Sequence, residues 1–231
     1  MCGRFALGIP RKRLQERFEL AEVPQAPARY NIAPGQLVEA VVQTPERREM
    51  RLLKWGLIPS WAKDKSIGYK MINARAETVA EKPSFKTAMR RRRCLIPAQG
   101  FYEWHDENGH RQPWFITSRN PEDVLALAGI WEHYESQEGE IIESVAIITC
   151  QANELVSPLH DRMPVIVVPK DDARWLDPKQ SDPAQVADIL TSRPWPGMLA
   201  YRVSTRVNSP KNDDSGLIEM MSGQQDDVPE N

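Results

Sequence analysis

Gly100-Phe101-Tyr102-Glu103-Trp104-His105-Asp106-Glu107-Asn108-Gly109-His110-Arg111-Gln112-Pro113-Trp114 is the stretch that sets the fold class. An Asn-Gly pair stands between two aromatic runs, and Asn-Gly supplies the positive φ angles that a tight hairpin turn demands. Two antiparallel strands are expected here, the first over residues 100–104. The pattern recurs on both sides. Leu37–Gln43 and residues 49–55 flank a turn around Pro45, and residues 124–132 and 141–150 flank the polar turn at 136–139. Residues 94–97, 165–168 and 198–203 read as further strands. Helices come at intervals. One is opened by Pro10 with Leu14 and Phe18 on one face, one runs from Pro83 into Arg90-Arg91-Arg92-Arg93, and two lie near 171–176 and 182–190. Hairpins without βαβ alternation give an α+β fold, a largely antiparallel, barrel-like sheet flanked by helices. No stretch has linker composition, so residues 1–218 are expected to form one domain and 219–231 a disordered polar tail.

Composition narrows the function. The chain has 231 residues, 41% of them hydrophobic, enough for one good core. No apolar run is long enough to span a bilayer and no signal sequence is visible, so a cytoplasmic protein without a membrane partner is expected. Three cysteines, Cys2, Cys94 and Cys150, form no CxxC pair, which fits a reducing compartment. His105, His110, His133 and His160 are scattered without metal-ligand spacing, so neither a metal nor a cofactor is expected. A net charge of −2 does not mark a nucleic-acid binder; such a site would need local arginine placement. The arginine run at 90–93 reads as a solvated helix end that suits the helix dipole.

Polar residues next to apolar sequence are the candidates for chemistry. Removal of Met1 would leave Cys2 with an α-amine and a thiol on adjacent carbons, able to condense with an aldehyde and close to a thiazolidine. The α-amine has a reference pKa of about 7.7–8.0 and is partly neutral near pH 7. In Ile72-Asn73-Ala74-Arg75, the two-residue period puts Asn73 and Arg75 on one face. Glu103 is wedged among aromatics, where desolvation raises a carboxyl. His160 and Arg162 precede an apolar run. Trp55 and Trp61 bracket a Gly- and Pro-broken segment, Trp55 for the core and Trp61 equally suited to packing or to stacking on a base.

Seven segments occur in order: Met1-Cys2-Gly3-Arg4-Phe5, Tyr30-Asn31-Ile32-Ala33-Pro34-Gly35, Trp55-Gly56-Leu57-Ile58-Pro59, Asn73-Ala74-Arg75-Ala76-Glu77, Phe101-Tyr102-Glu103-Trp104, His160-Asp161-Arg162-Met163-Pro164 and Val203-Ser204-Thr205-Arg206-Val207-Asn208. Together they resemble the SOS-response-associated peptidase (SRAP) family, whose members crosslink to abasic sites in single-stranded DNA. The resemblance implies that the Cys2 amine attacks C1′ of the ring-opened sugar and the thiol closes a thiazolidine. It implies that Asn73 orients the reacting groups, Glu103 acts as acid and base, and His160 handles protons at imine formation and reversal. It assigns Arg4, Arg75 and Arg162 to phosphates and Asn31 to a backbone contact. Trp61 would stack on a base, and Pro34 with Ile58-Pro59 would wedge the strand. The expected partner is abasic single-stranded DNA, at strand–duplex junctions among other sites, bound by a monomer that joins the nucleoid when DNA-bound. Two other classes remain open: an N-terminal cysteine peptidase or amidohydrolase, including autocatalytic loss of Met1, and a non-catalytic reader of modified cytosine.

Overall fold

The computed structural model describes residues 2–193 and 197–221; of the polar tail expected over 219–231, residues 222–231 lie outside them. In chain order the strands are β1 (Phe5–Leu7), β2 (Arg29–Ile32), β3 (Leu37–Gln43), β4 (Arg48–Trp55), β5 (Asn73–Arg75), β6 (Arg93–Ala98), β7 (Gly100–Glu107), β8 (His110–Ser118), β9 (Leu125–Glu135), β10 (Ile141–Gln151), β11 (Arg162–Pro164) and β12 (Met198–Arg202). The α-helices are α1 (Arg11–Phe18), α2 (Lys86–Arg91) and α3 (Asp172–Leu176).

Strands β3, β4, β6, β9 and β10 close on themselves. β4, β3, β6, β9 and β10 pair antiparallel in that order, and β10 returns to β4 in parallel to complete a barrel. The run from Leu125 to Ile130 shows why closure is stable. It is apolar without alternation and buried throughout, as a strand covered on both faces must be. β10 extends past the barrel, and β5 takes over the edge that β4 leaves, with Ile147 opposite Asn73 after Val145 opposite Trp55. On the other edge β11 pairs from Thr149 to Gln151. Asn73 and Arg162 therefore flank one strand.

The second layer is an antiparallel sheet in the order β12-β8-β7-β1-β2. Its central hairpin is the one expected from Asn-Gly: Asn108 and Gly109 have φ of 54° and 85°, and β7 and β8 pair from Glu107↔His110 to Gly100↔Thr117. The barrel-like α+β reading holds, and three local expectations change. The strand expected at 165–168 is displaced: β11 ends at Pro164, and Ile166 makes only an isolated bridge to Leu127. There the chain crosses between barrel strands, Val165 N–H donating to Ile148 O and Val167 N–H to Ala126 O, so it cannot pair continuously with either. Residues 183–190 form 3₁₀ turns rather than an α-helix, with Val186 and Ile189 buried three apart. α2 stops at Arg91, and Arg93 turns inward: 5% exposed, it donates to Met89, Trp175 and Asp177 carbonyls at 2.6–2.9 Å. The solvated helix end covers Arg90 and Arg91 alone.

The segment after β4 is pinned by backbone contact. Trp55 is buried and its Nε1–H donates to Ile72 O at 2.9 Å. Gly56 has φ of +128°, and a Cβ there would lie 2.6 Å from Gly68 O. Neither the torsion nor the backbone atom can yield cheaply. Gly56→Ala is expected to lower unfolding stability by about 2–3 kcal/mol in urea denaturation; a loss near zero would show that the Gly68 turn is soft.

Candidate active site at the seam of the two layers

β1 is only three residues long, yet it is paired on both edges, Phe5 lying opposite Ile32 and opposite Phe101. Tyr102 N–H donates to Arg4 O at 3.0 Å and Gln99 N–H to Ala6 O at 2.7 Å. The Phe5 ring packs on Trp55 at 5.3 Å between centroids. This two-sided pairing draws the residues before β1 inward, and Cys2 is fully buried. The barrel provides the facing wall: Asn73 Nδ2 donates to Cys2 O at 2.8 Å. Asn73 Oδ1 is buried and has no hydrogen-bond partner among the described residues. An acceptor is left over beside the cysteine.

Glu103, on β7, is 3% exposed, and burial pushes its carboxyl from an ordinary 4.5 up to about 7. Both protonation states are accessible near neutrality, as the aromatic surroundings in the sequence suggested. Burial, and then the Glu103 charge, hold the Cys2 thiol far above its usual range. His160 is half-buried, and burial holds its imidazole below the ordinary value. Its Nδ1 accepts from Arg162 N–H at 2.9 Å.

The residues expected at DNA divide into two groups. Pro34 and Arg75 are exposed, and Trp61 is 58% exposed. Ile58 and Pro59 are buried, so of the expected wedge only Pro34 reaches the surface. Arg4, Asn31 and Arg162 are engaged inside the protein. Arg4 Nη1 donates to Asn31 Oδ1 at 2.5 Å and Val207 O at 2.8 Å, and its guanidinium lies 5.8 Å from the Trp104 ring centre. Asn31 is 1% exposed, and its Nδ2 meets the carbonyls of Val207, Ser209 and Asn212. Arg162 forms a bidentate pair with Glu77 at 2.9 and 3.0 Å and donates to Thr149 O at 2.6 Å. The Arg162 guanidinium is thus already paired inside the protein, with Glu77 and the Thr149 carbonyl.

Sequence reasoning overlooked these internal partners. Glu77, Asp161 and Val207 all stood inside the quoted motifs, but nothing in a linear spacing pairs Glu77 with Arg162 across 85 positions. Among the described residues no cluster of His, Cys, Asp and Glu could hold a metal, and no helix is long and apolar enough to cross a membrane. The three cysteines are free and buried.

A buried cysteine before the first strand, an amide on its carbonyl and a carboxyl raised toward neutrality lie together at this seam. The chain belongs to the SOS response associated peptidase (SRAP) family, whose model matches residues 1–210. It is 40% identical over 222 residues to the abasic site processing protein YoqW of Bacillus subtilis (strain 168), covering 95% of this chain and 99% of that one. It is 30% identical over 228 residues to the abasic site processing protein YedK of Escherichia coli (strain K12), with coverage of 95% and 99%. A crystal structure of a Bacteroides thetaiotaomicron protein superposes with a TM-score of 0.84 at 25% identity, over 95% of this chain and 100% of that one.

The Glu103 carboxyl also makes a stability prediction. Because its folded pKa is raised, ionisation opposes folding, and stability is lost as pH rises from 4.5 through about 7. Glu103→Gln removes that loss. The variant's stability relative to wild type should therefore climb between pH 4.5 and 7 by up to about 3 kcal/mol and then level off. Parallel urea-unfolding curves for the two proteins across this range would show that Glu103 ionises freely.

Proposed function

We propose that this protein processes abasic sites in single-stranded DNA by covalent capture on Cys2 once Met1 has been removed. The burial of Cys2 against Asn73, beside a Glu103 carboxyl that titrates near neutrality, carries the reading. Relatives that match nearly the whole chain bear the name abasic site processing protein, which supports the substrate class.

The chemistry follows from the groups present. Glu103 exchanges protons with the sugar oxygens as the abasic deoxyribose opens to its aldehyde. The Cys2 amine adds to C1′, water leaves, and an imine forms. The thiol then adds to the same carbon while its proton passes to the nitrogen, closing the thiazolidine. A thiol held this firmly as S–H is a poor first nucleophile, which favours amine before sulfur and speaks against a peptidase whose thiolate attacks directly. Asn73 fixes the Cys2 carbonyl and offers Oδ1 to a donor on the amine or the sugar.

For the strand itself, Arg75 provides an exposed cation, Trp61 an exposed ring and Pro34 an exposed edge. Stacking on one aromatic contributes about 1–3 kcal/mol per base without sequence preference. Arg4 and Asn31 act on DNA through the strand they hold, and Arg162 reaches a phosphate when Glu77 gives way. The protein acts as a monomer at the nucleoid, on single strands and strand–duplex junctions.

Incubation with an abasic single-stranded oligonucleotide should give a slow-migrating species on a denaturing gel, and intact mass should show the loss of Met1 and the gain of one DNA adduct. Cys2→Ala should give no stable adduct; a yield equal to wild type would remove the thiazolidine from the scheme. Arg75→Ala should weaken binding and reduce the slope of log affinity against log salt by roughly 0.7, the share of one single-strand phosphate. An unchanged slope would place Arg75 away from the strand.

A further inference from the structure

Asp161 stands between His160 and Arg162, and the chemistry proposed above leaves it unused. Its side chain is 83% exposed, while its backbone is held by Ala152 N–H donating to Asp161 O at 3.0 Å. Asp161 Oδ1 comes within 2.7 Å of His160 Nδ1. The backbone N–H of Arg162 meets that same nitrogen at 2.9 Å. One ring nitrogen cannot accept from an amide and donate to a carboxylate at once, so the two contacts are alternatives. When Nδ1 accepts from Arg162, the neutral ring carries its proton on Nε2, and that side can only donate. When Nδ1–H is given to Asp161, Nε2 presents a lone pair and can take up a proton.

We propose that Asp161 is a positioning residue for proton transfer, receiving Nδ1–H of His160 so that Nε2 can accept a proton and return it, while the Arg162 amide stabilises the donor-only ring. This inference rests on the covalent capture proposed above. A proton leaving the attacking Cys2 amine passes to Nε2, giving an imidazolium whose Nδ1–H stays on Asp161. The same proton then goes to the departing hydroxyl, which leaves as water, and the ring ends neutral.

Another charge near the ring opposes protonation. The Arg162 guanidinium acts in the same direction as burial, and Asp161 acts against both. Arg162 is itself partly neutralised by Glu77. The Asp161 charge also raises the Glu103 carboxyl, so one exposed carboxylate bears on both proton-transfer groups. Because the carboxylate is solvated, its influence should be modest and should shrink as salt is added.

An NMR titration of the uncrosslinked protein tests the contact without DNA, the His160 ring signals being assigned by their loss in His160→Gln. The apparent His160 pKa should fall by roughly half a unit in Asp161→Ala, with a smaller fall in Asp161→Asn, which keeps an acceptor but no charge. A lowered pKa lets the neutral ring persist to lower pH. The acid limb of the capture rate of Asp161→Ala should therefore move down the pH scale by a similar amount. A His160 titration that does not move overturns the proposal, and so does a moved titration with a fixed rate profile. If the titration moves but wild type captures no abasic DNA at any pH, the proposed function falls and the positioning role falls with it, while the ring–carboxylate contact stands.

Discussion

Everything at the seam depends on a three-residue strand being paired on both edges. β1 cannot be stable alone, and its registers with β2 and β7 are what bring the start of the chain into the interior. A chain terminus normally lies at the surface, loosely held. Here Phe5 against Trp55 and the Arg4 clamp on Asn31 and Val207 leave Cys2 little freedom. The proposed capture, which presents an amine and then a thiol to one carbon, would benefit from that restraint, because much of the ordering would be complete before the sugar arrives.

Arginine serves two purposes in this fold, and net charge distinguishes neither. Arg93 and Arg162 are 5% and 9% exposed, each with its donors on backbone carbonyls or a carboxylate. Removing such a side chain leaves several buried acceptors unpaired, which costs more than the hydrogen bonds themselves contribute. Arg75 is different, being exposed on the short strand that also carries Asn73. A protein with a net charge of −2 can thus offer positive charge locally, at an exposed residue of β5.

The hairpins were legible because their turns have local chemistry. Asn108-Gly109 specifies its own backbone angles, and the turn around Pro45 separates strands that pair in full register from Leu37↔Lys54 to Gln43↔Arg48. A barrel-like sheet was legible but the pair that closes it was not, since the parallel contact of β4 with β10 joins residues ninety positions apart and no local pattern encodes it. In the site, Glu103 announced itself as a carboxylate among aromatics, and its environment has the expected effect. Asn31, Arg4 and Arg162 look like surface polar residues in a string of letters. Their inward commitments come from long-range partners in the 205–213 loop and at Glu77.

The electrostatics of the seam also explain why an amine–thiol pair suits this place better than a thiolate alone. Ionising Cys2 would put a negative charge at a fully buried position beside Glu103, and both burial and that carboxylate resist it. A neutral amine and a neutral thiol face no such cost. In the proposed capture their reaction with an aldehyde would create positive charge only briefly, at a protonated imine, which a Glu103 carboxylate would stabilise. In the proposed scheme the thiol proton passes to the nitrogen of a neutral imine or, from a protonated imine, to the Glu103 carboxylate, whose carboxyl lies near 7. The same burial that would weaken a cysteine protease is compatible with the proposed ring closure.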